Sequence, residues 1–466
     1  MGEIREEKGI CVHYVGAGGS GVSALAQFRL MAGGRATGSD RSFDRGDAGE
    51  ARRKLEALGL KVFSQDGSAL IGRGARPSYL VASGAVEDDI PDLAKARELK
   101  IPIRHRADEL SRHVESMRSV AIAGTSGKST VAGMLFEILE FAGLDPSIIA
   151  GGELRSLKKR GLIGNAWRGR SRWLVVEADE SDATLTRYRP EIGVLLNISK
   201  DHKEIPDLES MFSRFKAQAG SFVSAARPEL EKFNDGASTF GFEGGTIRGE
   251  GLAVSADSSA FSVRGIRFSI PMPGRHNAEN ALAAAAAAAS CGVSLENSSA
   301  ALKAFSGIAR RFESAGRAGG IEVVDDFAHN PAKVEATISA ARPRAKRILA
   351  VFQLHGFAPA RLMKAEFVEA LARSLSPDDR LWMPPIYYVG GTADKDVSAE
   401  DYVRELAARG LRAEFAGRRA DILDAVSREA RPGDLVLVMG ARDPSLPDFT
   451  REILARLGGL SGRGAA

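Results

Sequence analysis

A chain of 466 residues is longer than a single hydrophobic core usually serves, so two to four domains are expected, with three near the middle of that range. With 44% hydrophobic and 27% charged residues, the composition is that of a soluble globular protein and excludes a disordered or fibrous chain. Against 60 Asp and Glu stand 64 Lys and Arg with no basic block, so the footprint of a nucleic-acid-binding protein is missing. Cys11 and Cys291 lie far apart without metal-type spacing, which gives no disulfide framework or zinc site and fits a reducing cytoplasm. The first residues, MGEIREEKGI, carry no apolar signal core, and the final GGLSGRGAA reads as a frayed tail. The longest apolar run, residues 281–289, is too short for a membrane span and reads as a tightly packed small-residue helix.

In chain order, residues 11–15 read as a first strand. It enters GAGGSG, with Gly16, Gly18, Gly19, Ser20 and Gly21, and then a helix from Val22. The turn fits G-x-G-x-x-G and Asp40 follows 19 residues after Gly21, so this segment alone raises a dinucleotide-binding oxidoreductase. That reading leaves a second loop unexplained. Residues 119–123 form another strand, followed by Gly124, Thr125, Ser126, Gly127, Lys128, Ser129 and Thr130. A helix comes next, with Val131, Met134, Leu135, Ile138, Leu139 and Ala142 on one face before Gly143 ends it. Strand, glycine loop, Lys-Ser and helix in succession bring backbone N–H groups and a cation onto one anion, the arrangement of a phosphate-binding loop. The strict GxxxxGK[ST] pattern is missed, since Ile122 stands at its first glycine.

Two further buried strands, residues 173–176 and 192–196, run into EADESD and NISKDH. Glu177 and His202 at these strand ends, with the Ser129 hydroxyl, are the metal-site candidates beside a phosphate loop. Taken singly, each has a plainer reading as a solvated turn glutamate or an ordinary hydrogen-bonding histidine. Strands at residues 321–324, 348–352 and 435–439 repeat the α/β pattern in the last third. Boundaries near Val114 and Gly316 divide the chain into residues 1–113, 114–315 and 316–466.

GTSGKST, EADESD, NISKDH, PGRHNAEN and DDFAHNP, in this order and at these separations, resemble the Mur ligases of peptidoglycan-precursor synthesis over nearly the whole chain. GAGGSG with Gly38, Ser39 and Asp40 is most similar to the branch acting on UDP-N-acetylmuramate or its peptides. The resemblance implies three consecutive α/β domains: a Rossmann-like UDP-sugar domain, a P-loop ATPase-like central domain and a Rossmann-like carboxy-terminal domain for the incoming amine. It implies that Gly16, Gly18, Gly19, Ser20 and Gly21 contact the UDP diphosphate, with Asp40 near the nucleoside. Lys128 would hold the ATP phosphates, Ser129 and Glu177 one Mg²⁺, and Glu177 with His202 a second. His276, Asn277 and Asn280 would line the adenine pocket, Arg311 reach the phosphates and Asp326 the ribose. His329, Asn330, His355 and Arg361 would receive an amino acid or peptide, with L-alanine the leading candidate.

The implied activity is a cytoplasmic ATP-dependent ligase that forms an amide through an acyl phosphate, with no nucleic-acid or membrane partner. Two positions depart from the branch: Ser126 stands where a histidine is usual and Gly356 where an arginine follows the FQ-x-H histidine, an arginine that Arg361 would replace from another backbone position. Lys216 falls where other branches carry a carbamylated lysine, against the plainer reading of a solvent-facing helical lysine. A ligase acting on a different carboxylate and a non-catalytic homologue are the alternatives. The second would have lost Lys128, Glu177 or His202, and all three are present.

Overall fold

The computed structural model describes residues 9–71, 76–84, 86–87, 89–180, 184–199, 204–388 and 394–461. His202, the second metal candidate, lies outside the described residues.

Strands rich in Val, Ile, Leu and Ala, followed by glycine turns and helices, assemble three sheets. The first is parallel throughout, in the order β3-β2-β1-β4-β5, from β1 (Cys11–Val15), β2 (Arg35–Ser39), β3 (Lys61–Phe63), β4 (Tyr79–Ala82) and β5 (Ile103–His105). All five residues of β1 are buried, as expected of a central strand covered on both faces. Its neighbours β2 and β4 are reached by crossovers in opposite directions, so a crevice opens at the carboxyl end of β1, where such sheets bind ligands. His13, fully buried in β1, is satisfied by Thr37 Oγ1 at 2.8 Å and faces a Ser39–Asp92 hydrogen bond, a structural role.

The second sheet has ten strands: β6 (Arg118–Ala123), β7 (Ser147–Ile149), β8 (Ala166–Trp167), β9 (Trp173–Glu177), β10 (Ile192–Leu195), β11 (Ser221–Ala225), β12 (Ser238–Gly241), β13 (Ile247–Val254), β14 (Ser259–Val263) and β15 (Ile266–Ile270). Its order, β15-β14-β13-β12-β11-β10-β6-β9-β7-β8, puts β6 between β9 and β10, both parallel to it. The small-residue run 281–289 lies in the helix Arg275–Ser290, and residues 281–288 are all buried. Alanine side chains there let neighbouring elements approach closely.

The third sheet orders β16 (Glu313–Ala318), β17 (Ile321–Asp326), β18 (Arg347–Gln353), β19 (Arg380–Met383), β20 (Ala413–Phe415) and β21 (Asp434–Gly440) as β16-β17-β21-β18-β19-β20, antiparallel only at β16. Apolar clusters cover both faces, Val324, Ala350 and Leu437 on one and Val323, Val351 and Val438 on the other. The chain forms two compact units. One holds the first two sheets and runs to Ile308; the other holds the third and starts at Ala309, with Val254–Ser259 and Met272–His276 also assigned to it. Position 316 lies within β16. Among the described residues no helix is long and apolar enough to cross a membrane.

Candidate active site

Register fixes what surrounds the phosphate loop. Ile122 of β6 pairs with Glu177 of β9, and Ala123 with Leu195 of β10, so the segments after both neighbours emerge beside Gly124. Gly124 has φ +138°, and a Cβ there would stand 3.1 Å from Leu196 Cβ and 3.2 Å from the Asn197 nitrogen. Asn197 then clamps the loop: its Oδ1 accepts from the Ser126 N–H at 2.9 Å and from Thr125 Oγ1 at 3.0 Å, and its Nδ2 donates to the Ser126 carbonyl at 3.0 Å. Ser199 completes the grip at 2.7 Å from Thr125 Oγ1. The helix Lys128–Phe141 begins after Gly127 with no side-chain cap among the described residues, leaving its first N–H groups and the positive end of its dipole for an anion.

Lys128 Nζ donates to the Gly124 carbonyl at 2.7 Å and to Glu180 Oε2 at 2.6 Å. Burial disfavours its charge, but Glu180, Asp179 and Glu177 outweigh that and hold its pKa above the usual lysine value. Glu180 is itself pushed up by burial, partly offset by Lys128. In so close a pair the ionised state of both partners is the one the contact geometry supports. Ser129 Oγ donates to Glu177 Oε2 at 3.0 Å, while Glu177 Oε1 accepts from the N–H groups of Gly151 and Gly152 at 2.7 and 3.3 Å. A hydroxyl and a carboxylate this close are hard oxygen donors of the kind Mg²⁺ takes, so the pair fits that ion.

The predicted adenine residues sit at the start of the helix Arg275–Ser290. Asn280 reaches the loop itself, since a Cβ at Gly127, where φ is +87°, would lie 2.5 Å from Asn280 Oδ1. Asn277 is buried, and the His276 imidazole folds over Gly274, within 2.8 Å of where a Cβ would be.

At the first sheet, Gly16 and Ala17 donate to the Ser39 carbonyl at 2.9 and 3.0 Å, turning the chain over the end of β1. Asp40, expected near a nucleoside, is committed to the loop: Oδ2 accepts from the Gly18 N–H at 2.8 Å and Oδ1 from the Ser42 N–H and hydroxyl at 2.8 and 2.6 Å. Arg106 lies across Gly21, where a Cβ would meet its Cδ at 2.8 Å, and adds a cation beside the glycine turn. The sequence reading did not single it out, because it enters from the helix Arg106–Ser116, far along the chain.

In the other unit, Arg311 stands between two residues in left-handed backbone, Arg310 (φ 58°) and Phe312 (φ 50°). Its guanidinium carbon is 5.2 Å from the Phe327 ring centroid. Asp326 secures this loop and the next: Oδ2 accepts from the Phe312 N–H at 2.6 Å, and Oδ1 from the Ala328 N–H at 2.7 Å and Thr337 Oγ1 at 3.0 Å. Asn330 caps the helix Pro331–Ala341 through the Lys333 N–H at 2.9 Å. His329 Nδ1 donates to the Phe327 carbonyl at 2.8 Å, so its Nε2 carries the lone pair, 3.3 Å from Lys333 Nζ. Burial, then the Lys333 charge, holds its pKa well below the usual histidine value. The His355 ring centroid is 5.5 Å away, bringing the two predicted imidazoles together. Arg361 donates to Asp396 Oδ1 at 2.8 Å and to the Asp394 carbonyl at 3.0 Å. Lys216 donates to the Asp235 carbonyl at 2.6 Å, the arrangement of an ordinary surface ammonium. Asn197 and Glu180 went unassigned although they lie inside the motifs NISKDH and EADESD; Lys333 had only its spacing of one helical turn from His329 as a signal.

A phosphate loop with a hydroxyl–carboxylate pair beside it, on parallel strands of the second of three α/β sheets in chain order, defines a nucleotide-dependent enzyme of three α/β domains. Family models match in three consecutive pieces: "Mur ligase family, catalytic domain" over residues 11–118, "Mur ligase middle domain" over 122–288 and "Mur ligase, glutamate ligase domain" over 310–442. The chain belongs to the Mur ligase family. It is 33% identical to the UDP-N-acetylmuramate–L-alanine ligase of Pelotomaculum thermopropionicum, across 93% of this chain and 95% of that protein. To the enzyme of the same name from Anaeromyxobacter dehalogenans it is 34% identical, with the same coverage of 93% and 95%. Among solved structures, the UDP-N-acetylmuramate-alanine ligase of Thermotoga maritima superposes with a TM-score of 0.79 at 26% identity, covering 97% of this chain and all of that one.

Proposed function

We propose that this chain is an ATP-dependent ligase that joins the amine of an amino acid, L-alanine first among candidates, to the carboxylate of UDP-N-acetylmuramate through an acyl phosphate. The observation that carries this reading is the Lys128, Ser129 and Glu177 cluster at the ends of β6 and β9, in a chain whose near-full-length relatives are named for that reaction. A carboxylate does not condense with an amine in water because its oxygen is a poor leaving group. Attack of that oxygen on the γ-phosphorus of ATP expels ADP and leaves an acyl phosphate; the amine then attacks the acyl carbon and phosphate departs.

The phosphoryl step calls for positioning and charge neutralisation. The N–H groups at the start of the helix Lys128–Phe141 and the Lys128 ammonium would supply these. Ser129 and Glu177 would hold one Mg²⁺, and Glu177 with His202 a second; when bound, these ions neutralise phosphate charge. With its pKa held low, His329 is a weak base, suited to orienting the amine rather than removing its proton. The glycine loop at residues 16–21 and Arg106 would take the UDP diphosphate, and the enzyme would act in the cytoplasm on small molecules only.

The test is ADP release with ATP, Mg²⁺, UDP-N-acetylmuramate and a panel of amino acids and peptides, with product mass read alongside. Release dependent on both the sugar nucleotide and an amine is expected; full turnover by Lys128→Ala would sink the loop assignment. Gly356 and the pairing of Arg361 with Asp396 favour a second reading, in which another amino acid or a peptide replaces L-alanine, and the same panel separates the two.

A further inference from the structure

Lys128 is held from a side that the phosphate loop does not supply. One of its protons goes to the Gly124 carbonyl of its own loop at 2.7 Å, and another to Glu180 Oε2 at 2.6 Å. Glu180 follows β9 three residues beyond Glu177, yet the two carboxylates serve different partners: Glu177 takes Ser129 and the backbone of Gly151 and Gly152. Among the described residues Lys128 is the one cation paired with Glu180. The Glu180 side chain is 3% exposed and that of Lys128 14%, so water does not screen the pair.

An ammonium with two protons committed keeps one to offer, and the direction of that one is fixed. A buried carboxylate at the lysine also repels incoming phosphates. Both effects come from the same side chain and act oppositely on binding and on rate. We propose that Glu180 is a positioning residue for phosphoryl transfer, which aims the Lys128 ammonium at the reacting phosphate at the expense of ground-state affinity for the nucleotide. Interactions that strengthen only in the transition state raise turnover, and a donor already oriented needs no reorganisation there. The inference rests on the reading of this loop as an ATP site.

The experiment uses the full chain with Glu180→Gln and Glu180→Asp. Affinity for a non-hydrolysable ATP analogue with Mg²⁺ is measured by calorimetry, turnover by ADP release at saturating substrates, and folding by thermal melting. Glu180→Gln is expected to bind the analogue about 3- to 10-fold more tightly while kcat falls on the order of 10- to 100-fold, the scale of losing one oriented charge at a phosphoryl centre. Glu180→Asp, which keeps the charge on a shorter arm, is expected to recover part of kcat. A structural lesion moves affinity and turnover down together, so weaker binding by Glu180→Gln overturns the proposal, as does an unchanged kcat. Wild-type protein that takes up no nucleotide overturns both this inference and the ATP-site reading beneath it.

Discussion

The Asp326 carboxylate accepts the Phe312 N–H across 2.6 Å, and this bond closes the loop that carries Arg311. Both neighbours of Arg311 have positive φ, a conformation that costs a non-glycine residue about 1–2 kcal/mol each and persists only where the surroundings impose it. Asp326→Asn replaces one accepting oxygen with an NH₂ group, so at least one of its three hydrogen bonds is lost. The variant is expected to be less stable by about 1–3 kcal/mol in urea denaturation, with a fall in kcat from the released Arg311 loop. Unchanged stability together with unchanged kcat would show that the loop holds itself.

Gly127 and Asn280 form a second coupled pair. Gly127→Ala meets two obstacles, a φ of +87° and a Cβ position 2.5 Å from Asn280 Oδ1. It is expected to weaken ATP-analogue binding by at least about tenfold, because the N–H groups of the loop lose their convergence. Adding Asn280→Ala removes the clash but not the backbone strain, so the double variant should recover part of the affinity lost by Gly127→Ala. Strict additivity of the two substitutions in a double-mutant cycle would mean that the contact is incidental.

Glu177 and Ser129 are predicted to act through the metal. Glu177→Gln keeps the size and the hydrogen bonds to Gly151 and Gly152 within reach, yet removes the charge that an ion would need. The Mg²⁺ concentration for half-maximal turnover should rise by about tenfold or more, whereas Ser129→Ala should shift it less, since a neutral hydroxyl is the weaker ligand. A Mg²⁺ titration of ADP release decides this, and the same midpoint in all three proteins would remove the pair from the metal site.

How far the sequence carries depends on whether the chemistry is local in the chain. Lys128 and Ser129 were legible because strand, loop and helix follow one another over a few residues, and so was Glu177 at the end of its own strand. The grip of Asn197 on Thr125 and Ser126 was not, since it depends on β10 lying beside β6, a neighbour relation that only the folded sheet shows. Asp40 shows a similar limit: spacing after a glycine turn suggests a place near the nucleoside, and only the fold shows that the same carboxylate also accepts from Gly18 and Ser42. Strands β12 to β15 went unassigned, although the alternating burial of Ser259–Val263 does match an alternating sequence. The pairing of Arg361 with Asp396 was likewise not legible, because the two lie far apart in the chain.

Asp325 gives the fold a pH dependence of its own. Burial pushes its carboxyl up to about 6 from an ordinary value of 3.8, with Arg310 pulling down and Asp326 and Glu313 adding to the rise. Among the described residues its buried Oδ1 has no hydrogen-bond partner, and its Oδ2 accepts from Arg310 Nε at 3.1 Å. The folded state therefore holds a proton that the unfolded chain has released between about pH 4 and pH 6, and folding stability declines as pH rises through that window, then levels off. A shift of this size corresponds to ~3 kcal/mol at most. Asp325→Asn cannot titrate, so its stability relative to wild type should improve by about 1–3 kcal/mol between pH 4 and pH 7, whatever constant offset the substitution adds. Urea denaturation of both proteins across that range measures the difference, and parallel stability curves would show that Asp325 ionises in the folded chain as freely as in the unfolded one.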